Sequence, residues 1–299
     1  MTLGAPGSDT DGAGTAIGFP GQGGDWRDAL RTLSDAPDHP LVSGLADRLG
    51  THDWERLDPL DTRHAQPVVF ASGLVRAATK GLTPASAVLT MGHSLGEITA
   101  ATWAGAIEPL AGLDLVAQRA ALATPDQQAR PGAMVAIMRL TEHEVDWLRR
   151  SLLAERPGVL DVAVVNSATQ VILAGDDALV AEITERANDV GGVARRLPIG
   201  GAYHSILMMG ATTGFADAVA KAVRRNPLVP VVSSTLARPL TTAAEIADAL
   251  VRSLVLPVRW PETVAAALDA GATHAIDAGP GDTLVRLARF LPALPFVAA

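Results

Sequence analysis

Residues 87–107, AVLTMGHSLGEITAATWAGAI, constrain the fold more than any other stretch of the chain. Ala87-Val88-Leu89-Thr90-Met91 is a short apolar run with β-branched members, the pattern of a buried strand. Gly92-His93-Ser94-Leu95-Gly96 follows at once, and Glu97–Trp103 then reads as a helix. A serine in G-x-S-x-G between a strand and a helix sits at the tip of a sharp turn, where its hydroxyl is exposed as a nucleophile. The two glycines let the backbone turn tightly and remove side chains that would crowd an incoming acyl group. Ser94 then stands at the positive end of the following helix, with the Leu95 N–H directed to where an oxyanion would form. The plain alternative is a glycine-flanked serine in an ordinary strand–helix turn; the clean flanks favour the nucleophile.

The rest of the chain must supply a core and a partner for that serine. Its 299 residues suffice for one large domain or one with a substantial insertion. Apolar residues make up 48% and charged residues 19%, the profile of a globular protein with a sizeable core. Cysteine is absent, which excludes disulfides, thiolate metal sites and a cysteine nucleophile. The spacing of the histidines suggests no metal site. No apolar run reaches membrane-spanning length and no signal pattern opens the chain, so a cytoplasmic protein is expected. A net charge of −8 argues against a general nucleic-acid binder.

In chain order, residues 1–14 are rich in Gly, Ser, Asp and Thr and read as a disordered lead. Ala16–Phe19 is a short strand that enters the loop Pro20-Gly21-Gln22-Gly23-Gly24. No Lys-Ser/Thr follows, so a phosphate loop is discounted. Gln66-Pro67 opens a helix with proline at an early position, and Leu110–Leu122 is another, carrying Arg119. Residues 131–198 look like a separate unit: strand 133–138, a helix behind the Thr141–Glu144 capping box, strands 162–165 and 170–174 split by a turn at 166–168, helix 176–189 and strand 193–197. That βαββαβ order is a ferredoxin-like module. A helix from about Met208 to Arg225, a strand at 230–234 and a helix at 243–253 come next. Helix 261–270, strand 274–277 and helix 282–290 complete the chain.

A serine hydroxyl needs a base. His204 is the choice, because Gly200-Gly201-Ala202-Tyr203-His204-Ser205 is a loop of mostly small residues from which an imidazole can project into a cleft. An exposed loop histidine is the alternative. His93 adjoins Ser94 but points away on an elbow and reads as structural support. Arg119 lies mid-helix on an otherwise apolar face, where burial is costly unless it meets an anion; a planar guanidinium grips a carboxylate through two parallel hydrogen bonds. A salt bridge to a nearby Asp or Glu is the competing reading.

Taken in order, FPGQG at 19–23, AQPVVFASGL at 65–74, GHSLGE at 92–97, the arginine-bearing helix, GAMVAI at 132–137, VNSATQVILAG at 165–175, GAYHS at 201–205, PVRW at 257–260 and DAGPGDTL at 277–284 resemble the malonyl-CoA:acyl-carrier-protein transacylase family, which includes polyketide synthase acyltransferase domains. The resemblance implies an α/β fold: a hydrolase-like large subdomain, 15–130 and 199–299, with the ferredoxin-like small subdomain 131–198 inserted. It implies a Ser94–His204 dyad whose imidazole is oriented by a backbone carbonyl near Ser253, and an oxyanion hole from the N–H groups of Gln22 and Leu95. Arg119 would hold a malonyl carboxylate. Gln66 and Asn166 match pocket-lining positions, although either could be a capping or turn residue.

The activity implied is ping-pong transfer of an acyl group, malonyl first, from coenzyme A to the phosphopantetheine thiol of an acyl carrier protein. Coenzyme A is then a substrate, no cofactor is bound, and a monomer is expected. Acidic carrier proteins would need a basic patch, for which Arg195-Arg196 is the candidate, with a solvated charge pair as its alternative. Rival activities are transfer of an unusual acyl group between carriers and thioester hydrolysis, and Arg119 speaks against both; an idle scaffold is disfavoured by intact Ser94 and His204. Three departures from the family pattern stand out: a shorter segment between GQG and AQP, Ala120 after Arg119, and Tyr203 before His204, an aromatic nearer the malonyl-selective pattern.

Overall fold

The strand Thr15–Phe19 (β1) and the strand Leu89–Gly92 (β2) are buried along their whole length, as strands covered on both faces must be. The structure, a computed structural model, describes residues 14–299, and of 124–129 the backbone alone. The lead read into 1–14 therefore lies, except for Gly14, outside the described residues.

Seven of the remaining strands follow in chain order: Gly132–Met138 (β3), Leu160–Ser167 (β4), Gln170–Asp176 (β5), Val193–Arg196 (β6), Val231–Val232 (β7), Pro239–Leu240 (β8) and Val258–Arg259 (β9). His274–Asp277 (β10) and Phe296–Ala298 (β11) complete them. The first sheet runs β11-β10-β1-β2-β7-β8, parallel except for the β7–β8 pair. The second runs β6-β3-β5-β4-β9, antiparallel except that β9 lies parallel to β4.

Parallel pairing places the site. Phe19 registers with Gly92, so the glycine-rich loop leaving β1 and the serine turn leaving β2 emerge side by side at the carboxyl ends of neighbouring strands, where open α/β sheets bind ligands. The second sheet alternates its faces as strands do. Met134, Ala136, Val164 and Ile172 join the main core. Val135, Ile137, Val171 and Leu173 pack with the helices Glu142–Glu155 and Asp177–Asp189.

Several local expectations shift. The helix carrying Gln66 starts at Thr62, not at Gln66, because the Asp61 carboxylate caps the Arg63 N–H at 2.9 Å. Pro67 is consequently interior and cannot donate to the carbonyl four residues back. Asn166 and Ser167 end β4, and the turn is the two-residue step 168–169. The helix expected from Met208 divides into a 3-10 segment, Ile206–Ala211, and an α-helix, Thr212–Ala222, that stops short of Arg225. The strand at 230–234 shrinks to β7. β8, β9 and β11 have two or three residues each, too few to show a period.

Candidate active site

Ser94 follows β2 with φ of 55°, a left-handed conformation that costs a non-glycine residue about 1–3 kcal/mol. Its glycine neighbours make the turn possible. A Cβ at Gly92 would lie 2.0 Å from the Gly96 carbonyl, and one at Gly96 would lie 2.0 Å from the Phe19 oxygen. The helix Gly96–Trp103 starts immediately. Ser94 Oγ lies 2.7 Å from His204 Nε2.

His204 is itself left-handed, with φ of 60°, and only 2% exposed. Its Nδ1 lies 3.0 Å from the Leu256 carbonyl oxygen. A carbonyl only accepts, so Nδ1 carries the proton and Nε2 turns its lone pair to Ser94. The orienting carbonyl bonded here is that of Leu256, three residues beyond Ser253. Burial, reinforced by the Arg119 charge, lowers the imidazole's pKa to about 3. At neutral pH the ring is an uncharged base in hydrogen-bond contact with the serine.

Gly21 packs against the elbow so closely that a Cβ there would lie 3.4 Å from Ser94 Cβ. That brings Gln22 beside the serine. The backbone N–H groups of Gln22 and Leu95 have no acceptor among the described residues. Two uncommitted donors at the mouth of a helix N-terminus can receive an oxyanion.

Arg119 reaches the same cavity from the helix Pro109–Ala129. It is 3% exposed. Its Nη1 donates to Gln66 Oε1 at 2.8 Å, and the guanidinium carbon lies 4.8 Å from the Tyr203 ring centroid. Burial lowers its pKa. Among the described residues no carboxylate pairs with it, so the salt-bridge alternative finds no support there. Ser94, His204, Arg119, Gln66 and Tyr203 line one inner cavity of about 100 Å³, together with Met134. It adjoins a larger cleft of about 400 Å³ bounded by Trp26, Leu60, Gln170 and Leu287. Gly21, Gln22, His93 and Leu197 line both.

Asn166 borders the outer cleft rather than the inner cavity, and its Oδ1 lies 2.8 Å from His93 Nε2. His93, whose ring also packs at a 59° tilt against Trp260 with centroids 5.3 Å apart, thus bridges the elbow to the second sheet and lines both spaces, a larger part than its position in the motif suggests. Arg195 and Arg196 part company. Arg195 registers with Ala136, on the core-facing side of β3, and Arg196 with Val135, on the helix side, where it pairs with Asp177. Of the two, Arg195 lies on the face of the sheet turned toward the main core, and it lines neither space. Met134, Val164, Ile172 and Ile199 line the inner cavity as well; in the sequence they look like ordinary core residues. No cluster able to hold a metal ion and no helix long and apolar enough to cross a membrane occurs among the described residues.

A family model described as the acyl transferase domain matches residues 52–289. The chain belongs to this family. Two curated relatives of this acyltransferase are malonyl CoA-acyl carrier protein transacylases. That of Staphylococcus aureus (strain MRSA252) is 28% identical over 283 residues, 90% of each chain. That of Bacillus subtilis (strain 168) is 28% identical over 286 residues, 91% of this chain and 88% of the relative. Two solved structures superpose on the acyltransferase with a TM-score of 0.82 each. An acyl carrier protein S-malonyltransferase from Vibrio cholerae is 29% identical, with 96% of both chains covered. A malonyl-transacylase in complex with its type II PKS acyl-carrier protein is 30% identical, with 95% of both covered.

Proposed function

We propose that this acyltransferase moves a malonyl group from coenzyme A to the phosphopantetheine thiol of an acyl carrier protein through an ester on Ser94. The observation that carries the reading is Arg119: a buried guanidinium, without a carboxylate partner among the described residues, in the small cavity that holds the Ser94–His204 pair. A malonyl donor offers the missing carboxylate three atoms from its thioester carbon or nearer. The relatives' names point the same way.

His204 Nε2 takes the Ser94 proton as Oγ adds to the thioester carbonyl. The Gln22 and Leu95 N–H groups receive the oxyanion. Collapse breaks the C–S bond, and His204 returns the proton to the departing thiolate. The carrier's thiol then repeats the sequence in reverse, with His204 taking its proton and Ser94 regaining one. Arg119, held by Gln66 and stacked on Tyr203, fixes the carboxylate through both half-reactions. The outer cleft beside His93 and Asn166 would take the pantetheine arm. Arg195, exposed on the edge strand β6, would meet the acidic carrier.

The finer fold reading belongs to the same proposal: a hydrolase-like part, 15–130 and 199–299, carrying a ferredoxin-like part, 131–198. The order of the four strands β6-β3-β5-β4 and the two helices on one side of them support it.

Intact-mass measurement after mixing with malonyl-CoA or acetyl-CoA tests the function. A malonyl adduct should form on the wild type, far less acetyl adduct should form, and Ser94→Ala should carry neither. An adduct on Ser94→Ala, or a wild type that takes acetyl as readily as malonyl, would overturn the reading.

A further inference from the structure

We infer that Asp161, on β4 of the second sheet, is a positioning residue for the base. The inference rests on the acyl-transfer reading of Ser94 and His204. Asp161 Oδ2 accepts two hydrogen bonds from the residues that directly follow His204: one from Ser205 Oγ at 2.7 Å and one from the Ile206 N–H at 3.0 Å. Ser205 is fully buried, and its Oγ in turn accepts from the Leu207 N–H at 3.3 Å. The carboxylate therefore pins the chain on the carboxyl side of the histidine.

The other anchors hold His204 itself. The His204 N–H donates to the Leu254 oxygen at 3.0 Å, and Nδ1 donates to the Leu256 oxygen at 3.0 Å. A left-handed non-glycine residue persists only where its surroundings over-determine it. Here the clamp has two jaws, the 254–256 segment and Asp161. With either jaw open, the backbone at His204 can relax toward negative φ, which swings Nε2 away from Ser94 Oγ. The register of β4 against β5 shifts just beyond Asp161, between Val162 and Val164, an irregularity of the kind that re-aims a side chain. Asp161 acts through geometry, because its carboxylate is engaged by Ser205 and Ile206 and not by the imidazole.

The test compares wild type, Asp161→Ala, Asp161→Asn and Ser205→Ala, all as full chains. Each is mixed rapidly with malonyl-CoA, the rate of adduct formation on Ser94 is followed by intact mass, and melting curves correct for folded fraction. Displacing a base from contact geometry costs about tenfold to a hundredfold in rate. Asp161→Ala should lose that much at saturating donor with its half-saturating concentration nearly constant, since Arg119 is untouched. Asp161→Asn, whose amide oxygen still accepts, should recover most of the loss. Ser205→Ala, which leaves the Ile206 bond in place, should fall between wild type and Asp161→Ala. A folded Asp161→Ala with the wild-type rate, or an Asp161→Asn as slow as Asp161→Ala, overturns the role. If Asp161→Ala does not fold, the other two variants decide: a lowered saturating rate in Ser205→Ala with recovery in Asp161→Asn supports it, and wild-type rates in both overturn it. A wild type that forms no adduct at all overturns the acyl-transfer reading, and the positioning role with it.

Discussion

Ser94 and His204 meet at 2.7 Å with φ of 55° and 60°, yet the two left-handed turns are held by different parts of the chain. The serine turn is held mostly by its neighbours, with Phe19 of β1 packed against it. Gly92 and Gly96 are two residues to either side of Ser94, and the Gly96 and Glu97 N–H groups bond back to the His93 and Ser94 carbonyls at 2.9 Å. The base loop is held from a distance, by carbonyls at 254 and 256 and by the carboxylate at 161. A strained residue can thus be fixed by its immediate neighbours or by segments about fifty residues away. The first kind writes a motif into the sequence; the second does not.

The largest effect that would break this comparison is expected at Gly96. Gly96→Ala puts a Cβ into the Phe19 carbonyl, a backbone atom that cannot step aside. Overpacking of this kind costs about 1–3 kcal/mol or more, and the damage falls on the elbow itself. Ser94 acylation should disappear and the melting temperature should drop. Gly201→Ala, at φ of 114° in the base loop, should slow acylation severely but leave the elbow formed. A fluorophosphonate probe that labels Ser94 separates the two: Gly201→Ala should still react slowly, Gly96→Ala not at all. Equal labelling of both would show that the two turns are not independently held.

Arg119→Ala sharpens the contrast next, because Arg119 bears on the base and not on the elbow. Loss of a charge-assisted bidentate partner costs about 1.5–3 kcal/mol. Malonyl loading should therefore fall about ten- to a hundredfold, and acetyl loading much less. The pH profile should move as well. His204 loses its function as a base when pH falls through its folded pKa, about 3 in the intact site. The acid limb of kcat/KM should then lie well below that of an ordinary histidine, which titrates near about 6.5. Removing the Arg119 charge removes one of the causes of that depression, so the limb should move to higher pH in Arg119→Ala. A wild-type limb centred near the ordinary value would contradict the buried, neutral imidazole.

The smallest effect is expected at Ser253. Its hydroxyl donates to the Leu250 oxygen at 2.7 Å, away from the imidazole. Ser253→Ala should cost about 0.5–1.5 kcal/mol in stability, read as a small drop in melting temperature, with acylation largely retained because backbone carbonyls orient the base. A large fall in rate without loss of fold would assign the side chain a part that the geometry does not give it.

The sequence by itself determined the elbow, the buried strand before it and the helix after it, because the glycine-flanked turn motif and apolar periodicity are written within a few residues. It also marked Arg119 and His204 as the residues to watch: a charge on an apolar helix face is costly enough to be conspicuous, and an imidazole in a loop of mostly small residues has room to project. Tertiary structure decided the rest. Parallel pairing of β1 with β2 brought Gln22 beside Ser94. The packing of separate helices placed Gln66 against Arg119, and strand alternation put Arg195 and Arg196 on opposite faces of β6, with Arg196 paired to Asp177. Which carbonyl holds His204, that Asp161 clamps its loop, and that Pro67 lies inside a helix rather than at its start depend on contacts between distant segments or on a single capping carboxylate. Hydrogen bonds between such segments leave no periodicity in the chain, so only the folded arrangement can specify them.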